Sequence, residues 1–345
     1  MRKYIALLRH SNTIPILICL TFGFQLITSE ITAWVPDPEP DYNIFVMPYV
    51  QNCHLFQYPQ RDGVILNSDN VTAIHDGKYQ PTRDPLKWWL NCLSYQATGT
   101  PKFIPIIFNV GIIPLAYLLA VALTRDKLIG LIAVTALLVN PIFTRFENSG
   151  TYDQVWSFLL LFSVYLFYKF KKNGDWSFVS LFASLAAKGI GILYLPVWFY
   201  TLYKSEKPRL AKVVLGGIVI AGLVVLAILV KTDFALGGHI GFHPENIQLA
   251  ISQNIKMLWE ILPVLIIAIG INRLFNPKNK VPNKNITALW MLSAFMTTPI
   301  IYLFSDQLAF VYRFMPFLVF MSIYLGMVIV DAGNYIIERK LRIAN

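Results

Sequence analysis

The chain has 345 residues, of which 56% are hydrophobic and only 14% charged, with a formal net charge of +10 and a mean hydropathy of +0.54. Soluble globular proteins carry roughly 25% charged residues, so the composition excludes an ordinary soluble fold and predicts a polytopic membrane protein. A basic excess in a soluble chain would suggest nucleic acid; here it reads as an orientation signal, and no nucleic-acid partner is expected.

Taken in order, apolar runs near the roughly 20 residues that cross a hydrocarbon core predict an all-α bundle of about ten transmembrane helices. These fall at 14–29, 103–123, 128–143, 154–170, 176–188, 190–204, 212–231, 257–272, 286–304 and 309–334. The run at 176–188 is too short to span without tilt or a half-helix arrangement. Near the N-terminus, Arg2, Lys3 and Arg9 precede an apolar run from Ile14 to Ile27. Thr28-Ser29-Glu30-Ile31 makes a poor cleavage site, so a retained first helix is expected rather than a signal peptide. The chain thus divides into a first helix (1–29), an external loop with interfacial helices (30–102) and a multi-helix bundle (103–345).

Charge alternates along this layout. Arg125/Lys127, Lys169/Lys171/Lys172, Lys204/Lys207/Arg209/Lys212, Arg273/Lys278/Lys280/Lys284 and Arg339/Lys340/Arg342 form one set of connections. Glu30 to Asp84, Glu147/Asp153, Asp233/Glu245 and Asp306 form the other. Basic connections stay in the cytoplasm, which places the first set and both termini inside and the acidic set outside. A multi-pass protein of a cell membrane follows, or of the endoplasmic reticulum membrane in a eukaryote.

The long loop is the one extended polar segment. Phe45 to Tyr58 is rich in aromatics that suit a membrane interface, and Asn70-Val71-Thr72 fits a glycosylation sequon. Cys53 and Cys92 fall in this loop, where an oxidising exterior allows a bridge; two buried thiols are the alternative. Cys19 lies in the first helix.

Two groups of residues suggest chemistry. Glu30, Asp37, Glu39 and Asp41 crowd the outer end of the first helix, held extended by Pro36, Pro38 and Pro40. They read either as a solvated acidic turn or as a general base, which must reach the proton that it removes; a divalent cation is the one cofactor left open. The second group is cationic: Arg83 in the loop, Arg145 and Lys188 near outer helix ends, and Arg313 just inside the last helix. A charge at that depth faces the protein interior or a polar cavity, either in a structural pair with Asp306 or as a guanidinium clamp on a phosphate. His239 and His243 stand four apart, but the glycines between them and Pro244 favour a loop over a metal-binding helical face. Asp153, at the start of a helix, suits the helix dipole.

The order of these features resembles a known family. Glu39-Pro40-Asp41-Tyr42, Gly77-Lys78-Tyr79-Gln80-Pro81-Thr82-Arg83-Asp84-Pro85-Leu86, Arg145 to Asp153, Leu185-Ala186-Ala187-Lys188-Gly189 with Leu195-Pro196, and Tyr312-Arg313-Phe314-Met315-Pro316 follow one another across most of the chain. This is similar to the GT-C glycosyltransferases that use polyprenyl-phosphate sugars, in the branch of dolichyl-phosphate-mannose protein mannosyltransferases and lipid A aminoarabinose transferases. The resemblance implies a loop carboxylate, Glu39 or Asp41 with Asp37 beside it, that deprotonates an acceptor hydroxyl. It implies Arg83, Lys188, Arg313 and Arg145 as holders of the donor phosphate, whose charge grows in the transition state. Asp153, His239 and His243 would contact acceptor or loop. The partners implied are a polyprenyl-phosphate sugar donor, membrane lipid, and an acceptor glycan, lipid or protein. The sequence departs from the family pattern where prolines separate the acids and where Arg83-Asp84 replaces Lys-Pro. A transporter or flippase of a lipid-linked anion, or an inactive scaffold, would use the same cations differently.

Overall fold

The computed structural model describes residues 13–33, 50, 85–146, 155–170, 176–230, 242–249, scattered positions within 251–270, 281–304 and 314–344. Among these the structure is all helix and connection, with no strand. The helices are α1 (Thr13–Ala33), α2 (Pro85–Thr98), α3 (Phe103–Thr124), α4 (Lys127–Leu138), α5 (Pro141–Phe146) and α6 (Val155–Lys169). They continue with α7 (Ser177–Ala187), a 3-10 segment (Gly189–Tyr194), α8 (Leu195–Lys204), α9 (Arg209–Val230), a 3-10 turn (Pro244–Asn246), α10 (Lys284–Phe304) and α11 (Met315–Ala344).

The expected helices are present except over 257–272, which is described only at scattered positions, with corrections at four places. The helix expected over 128–143 is two, because Asn140 ends one and starts the next. Its Oδ1 accepts from the amides of Ile142 and Phe143 at 2.9 and 3.3 Å, and Pro141 takes the first helical position. An Asn N-cap followed by Pro is a start signal that overrides the apolar run around it. The helix expected over 190–204 opens as a 3-10 segment and becomes α-helical only at Leu195-Pro196. The first helix runs to Ala33 rather than residue 29, and the last runs to Ala344 rather than 334.

Helix α11 is the centre of the bundle, with Phe317, Leu318, Val319, Phe320, Ile323, Met327 and Val328 buried along it. It packs on α4, α10 and α3. Two glycines allow the close approaches around α4. A Cβ on Gly326 of α11 would lie 2.9 Å from the carbonyl oxygen of Ile129, and one on Gly130 would lie 2.6 Å from the Tyr117 ring. Small residues at such crossings let helix backbones approach closely.

Helices α6 and α7 run antiparallel, joined by serines. Ser163 Oγ donates to the Ser177 carbonyl at 2.7 Å, Ser180 Oγ to Leu159 at 2.6 Å and Ser184 Oγ to Trp156 at 2.8 Å. The serines at 177, 180 and 184 share one helical face. An aromatic column then ties the 3-10 segment into the bundle. Trp156, Tyr194, Trp290 and Phe320 follow one another at centroid spacings of 6.2, 6.3 and 5.3 Å, and Trp290 Nε1 donates to Thr201 Oγ1 at 3.0 Å.

The basic connections meet at one end. Asn283, before α10, donates from Nδ2 to the Leu123 carbonyl at the end of α3, 2.8 Å away. Lys207, after α8, donates from Nζ to the Phe170 carbonyl after α6, also at 2.8 Å. Lys284, at the start of α10, pairs with Asp331 of α11 at 3.0 Å, the two side chains 4% and 1% exposed. This end is called the basic end below. Two described helices, 103–124 and 315–337, are long and apolar enough to cross a membrane. Large apolar side chains also stand exposed on outer faces, including Leu20, Phe24 and Ile27 of α1 and Leu210, Val213, Ile220 and Val224 of α9.

Candidate functional site

Of the residues singled out in the sequence, Glu39, Asp41, Asp37, Arg83, Arg313, Asp153 and His239 lie outside the described residues. Arg145 falls in the single turn-and-a-half of α5, of which the backbone is described. Lys188 and His243 can be placed in full.

Lys188 sits where the chain abandons helix. Its backbone is extended, φ −162° and ψ 123°, and its amide donates to the Ser184 carbonyl at 2.9 Å, closing α7. Gly189 and Gly191 follow, and the 3-10 segment folds back so that a Cβ on Gly191 would meet the Leu185 side chain at 3.1 Å. With 11 residues in α7 and 10 in α8, each arm is about 15–17 Å long at 1.5 Å per residue. Neither arm alone spans a hydrocarbon core of about 30 Å. The chain reverses direction between these two short helices, each packed on the 3-10 segment, with a half-buried lysine near the apex of the reversal. Because Ser184 also bonds the Trp156 carbonyl at the start of α6, this apex belongs to the end opposite the basic end.

Several polar groups gather on the helices at that end. Asn91 of α2 is fully buried, and neither its side-chain oxygen nor its nitrogen has a hydrogen-bond partner among the described residues. The indole N–H of Trp156 is likewise buried without an acceptor there. Helix α2 packs on α3 and α7, and its end is tied to α3 through Ser94. The Ser94 Oγ donates to the Thr100 carbonyl at 2.7 Å and accepts from the Ile104 amide at 3.2 Å. Buried polar atoms without partners are rare and call for an explanation; a polar ligand supplies one.

A residue missed in the sequence is Lys102, 4% exposed and immediately before α3 at this same end. The signal was available. Lys102 and Lys188 both break the charge alternation, standing on the acidic side of it, and a cation that ignores the orientation rule needs another reason to be there. Cys92 of α2 is buried and disulfide-bonded, with its partner outside the described residues, while Cys19 is a free, exposed thiol.

His243 is not on a helix. It precedes the Pro244–Asn246 turn, its amide donates to the Leu303 carbonyl at 2.8 Å, and its Nδ1 lies 3.0 Å from Glu245 Oε1. A backbone hydrogen bond within Glu245 itself, then the His243 side chain, hold the Glu245 carboxyl below the usual glutamate value. The four-residue spacing to His239 therefore does not define one helical face. Among the described residues no three His, Cys, Asp or Glu side chains cluster as metal ligands would.

These features define an all-α bundle whose chain reverses through a 3-10 segment after Lys188, with buried polar groups on the helices toward that end. No family model matches the chain, and no solved structure matches it. The chain is similar to an uncharacterized protein of Aquifex aeolicus, at 23% identity over 250 residues. The matched stretch is 68% of this chain, and the chain spans about half the length of that relative, 48%.

Proposed function

We propose that the chain is a multi-pass membrane glycosyltransferase that moves a mannose-like sugar from a polyprenyl-phosphate carrier to an acceptor hydroxyl, with inversion, on the face opposite the basic end. The observation that carries this reading is the break in helix at Lys188, where the chain reverses through a 3-10 segment. Non-helical backbone at membrane depth is tolerated where it is buried in protein or lines a cavity, and discontinuous helices gather binding groups there. The apex lies at the end where Lys102, Asn91 and Trp156 are buried. The exposed apolar faces of α1 and α9, which water would punish as aggregation surfaces, support several membrane crossings. The disulfide at Cys92 suits an oxidising exterior for this end.

In this mechanism Glu39 or Asp41, with Asp37 adjacent, takes the acceptor hydroxyl proton. The acceptor oxygen attacks the anomeric carbon as the bond from that carbon to the phosphate oxygen breaks. The electron pair leaves on polyprenyl phosphate, whose growing charge meets Lys188, Arg83 and Arg313; fixed cations in a site without water stabilise such charge strongly. Arg145 joins them on the donor phosphate, and Asp153, His239 and His243 complete the face toward acceptor and loop.

Purified protein with radiolabelled polyprenyl-phosphate mannose is expected to release polyprenyl phosphate. The E39Q/D41N variant should lose this at least about 100-fold, the usual scale for removing a general base, while still binding donor. Donor binding without release across a panel of sugars would refute the enzyme and favour carriage of the lipid-linked anion.

A further inference from the structure

We propose that the cavity at the basic end binds a phosphate-bearing anion, supplied by the headgroup of an anionic phospholipid. It is a second site, at the opposite end of the bundle from the Lys188 apex; its lipid source rests on the membrane reading above.

The cavity encloses about 350 Å³ where the turns after α3 and α8 meet the start of α10, within the range of small-ligand sites. Among the described residues three cations line it, Arg125, Lys204 and Lys207, against one carboxylate, Glu206, a surplus of two positive charges. Lys207 is 6% exposed. Its ammonium is held by the Phe170 carbonyl at 2.8 Å and over the Phe167 ring at 5.0 Å. A lysine stem ordinarily lets the charge reach water; this one is fixed inside. The Tyr168 hydroxyl, buried and without a hydrogen-bond partner among the described residues, lines the same space and is a further donor.

Backbone geometry adds a separate observation. Arg125 and Asn283 are the non-glycine residues with positive φ among those described, at 61° and 59°, and both line this cavity. Arg125 occupies the left-handed position that ends α3, its amide bonded to the Val121 carbonyl. Glycine is the ordinary occupant there. An arginine kept in that conformation holds a guanidinium at the mouth, where its fork matches phosphate.

The remaining wall says which phosphate. Leu123 and Ile286 supply apolar lining, and Tyr203 and Leu210, 70% and 75% exposed, stand next to Lys204 and Arg209 in the chain. Exposed aromatic and aliphatic side chains beside cations mark the headgroup level of a bilayer, and basic pockets between helices on the cytoplasmic side take anionic headgroups. A free anion would have no use for the apolar wall.

The test uses the full chain, delipidated in neutral detergent and titrated with dioleoylphosphatidylglycerol, dioleoylphosphatidylcholine or inorganic phosphate, with bound lipid counted by native mass spectrometry and melting temperature followed in parallel. Phosphatidylglycerol is expected to bind and raise the melting temperature, phosphatidylcholine to bind at least about tenfold more weakly. The R125N/K204Q variant removes two charges at exposed positions and keeps a side chain that tolerates the left-handed region. It should lose phosphatidylglycerol binding about tenfold or more while melting like the parent without lipid, and R125K, which keeps the charge without the fork, should bind more tightly than the double variant but more weakly than the parent. A K169Q/R209Q control, at the same end but outside the cavity, should bind like the parent. Equal loss in the control would overturn the cavity as the site. An equal response to inorganic phosphate would overturn the lipid source and assign the site to the free anion. None of these readouts depends on sugar transfer.

Discussion

Replacing Asp331 with asparagine strips the buried Lys284 ammonium of its counter-charge, and the consequence can be worked from the geometry. At 3.0 Å the two charges attract by about 5–6 kcal/mol at an effective dielectric of ~20. Burying them costs several kcal/mol per ion, so the pair is near break-even against apolar replacements. Either partner alone is not. Both side chains are under 5% exposed, so the survivor stays in place without water, with the Tyr324 ring 5.9 Å from the ammonium. Asp331→Asn, Asp331→Leu and Lys284→Met should each destabilise by about 3–5 kcal/mol. The double variant K284M/D331L should return to within about 1 kcal/mol of the parent, because it removes the desolvation penalty with the pair. Reversible unfolding in mixed detergent and sodium dodecyl sulfate micelles, run as a double-mutant cycle, measures this. If the losses instead added to about 6–10 kcal/mol, the two residues would be acting separately and the pairing argument would fail.

Three further outcomes follow from the same structure. Gly326→Ala places a methyl 2.9 Å from the Ile129 carbonyl and should cost about 1–3 kcal/mol as overpacking. Gly333→Ala on the same helix, with open space around it, should be neutral or stabilising by up to about 1 kcal/mol; equal effects in the same unfolding assay would sink the close-approach argument. Maleimide labelling in denaturant should find one reactive thiol, Cys19, before reduction and all three afterwards, and peptide mapping should recover Cys92 joined to Cys53. Because its carboxyl titrates below the ordinary glutamate value, the Glu245 carboxylate contributes stability above that value and loses it as pH falls through its own lower midpoint. His243→Ala should move that midpoint upward by carbon-13 NMR, and no movement would show that the backbone contact acts alone.

The helices were legible because apolar length is a property of the chain itself. Runs at 103–123, 154–170, 176–188 and 286–304 became α3, α6, α7 and α10 with ends shifted by two residues or fewer. The misses were local chemistry inside apolar runs: the Asn140-Pro141 restart, and the glycines that turn 189–194 into 3-10 helix. The grouping of basic connections was also legible, and the Asn283–Leu123 and Lys207–Phe170 bonds bring those connections together at one end. The serines of α7 stood on one face in plain view, but a hydroxyl at helical spacing does not name its acceptor.

By itself, then, the sequence determined an all-helical, strongly apolar chain, the places of most of the described helices and the grouping of its basic connections. Each of these follows from composition, length or periodicity, which are local or additive. Only the tertiary structure decided that Lys284 meets Asp331 across 47 residues, that Lys102 is buried on the same side as Lys188, and that Arg125, Lys204 and Lys207 share one cavity. Those contacts depend on which helices pack together and at what rotation. That is settled by the fit of small residues such as Gly326 and Gly130 against their neighbours, a property of pairs of surfaces that no single stretch of chain carries.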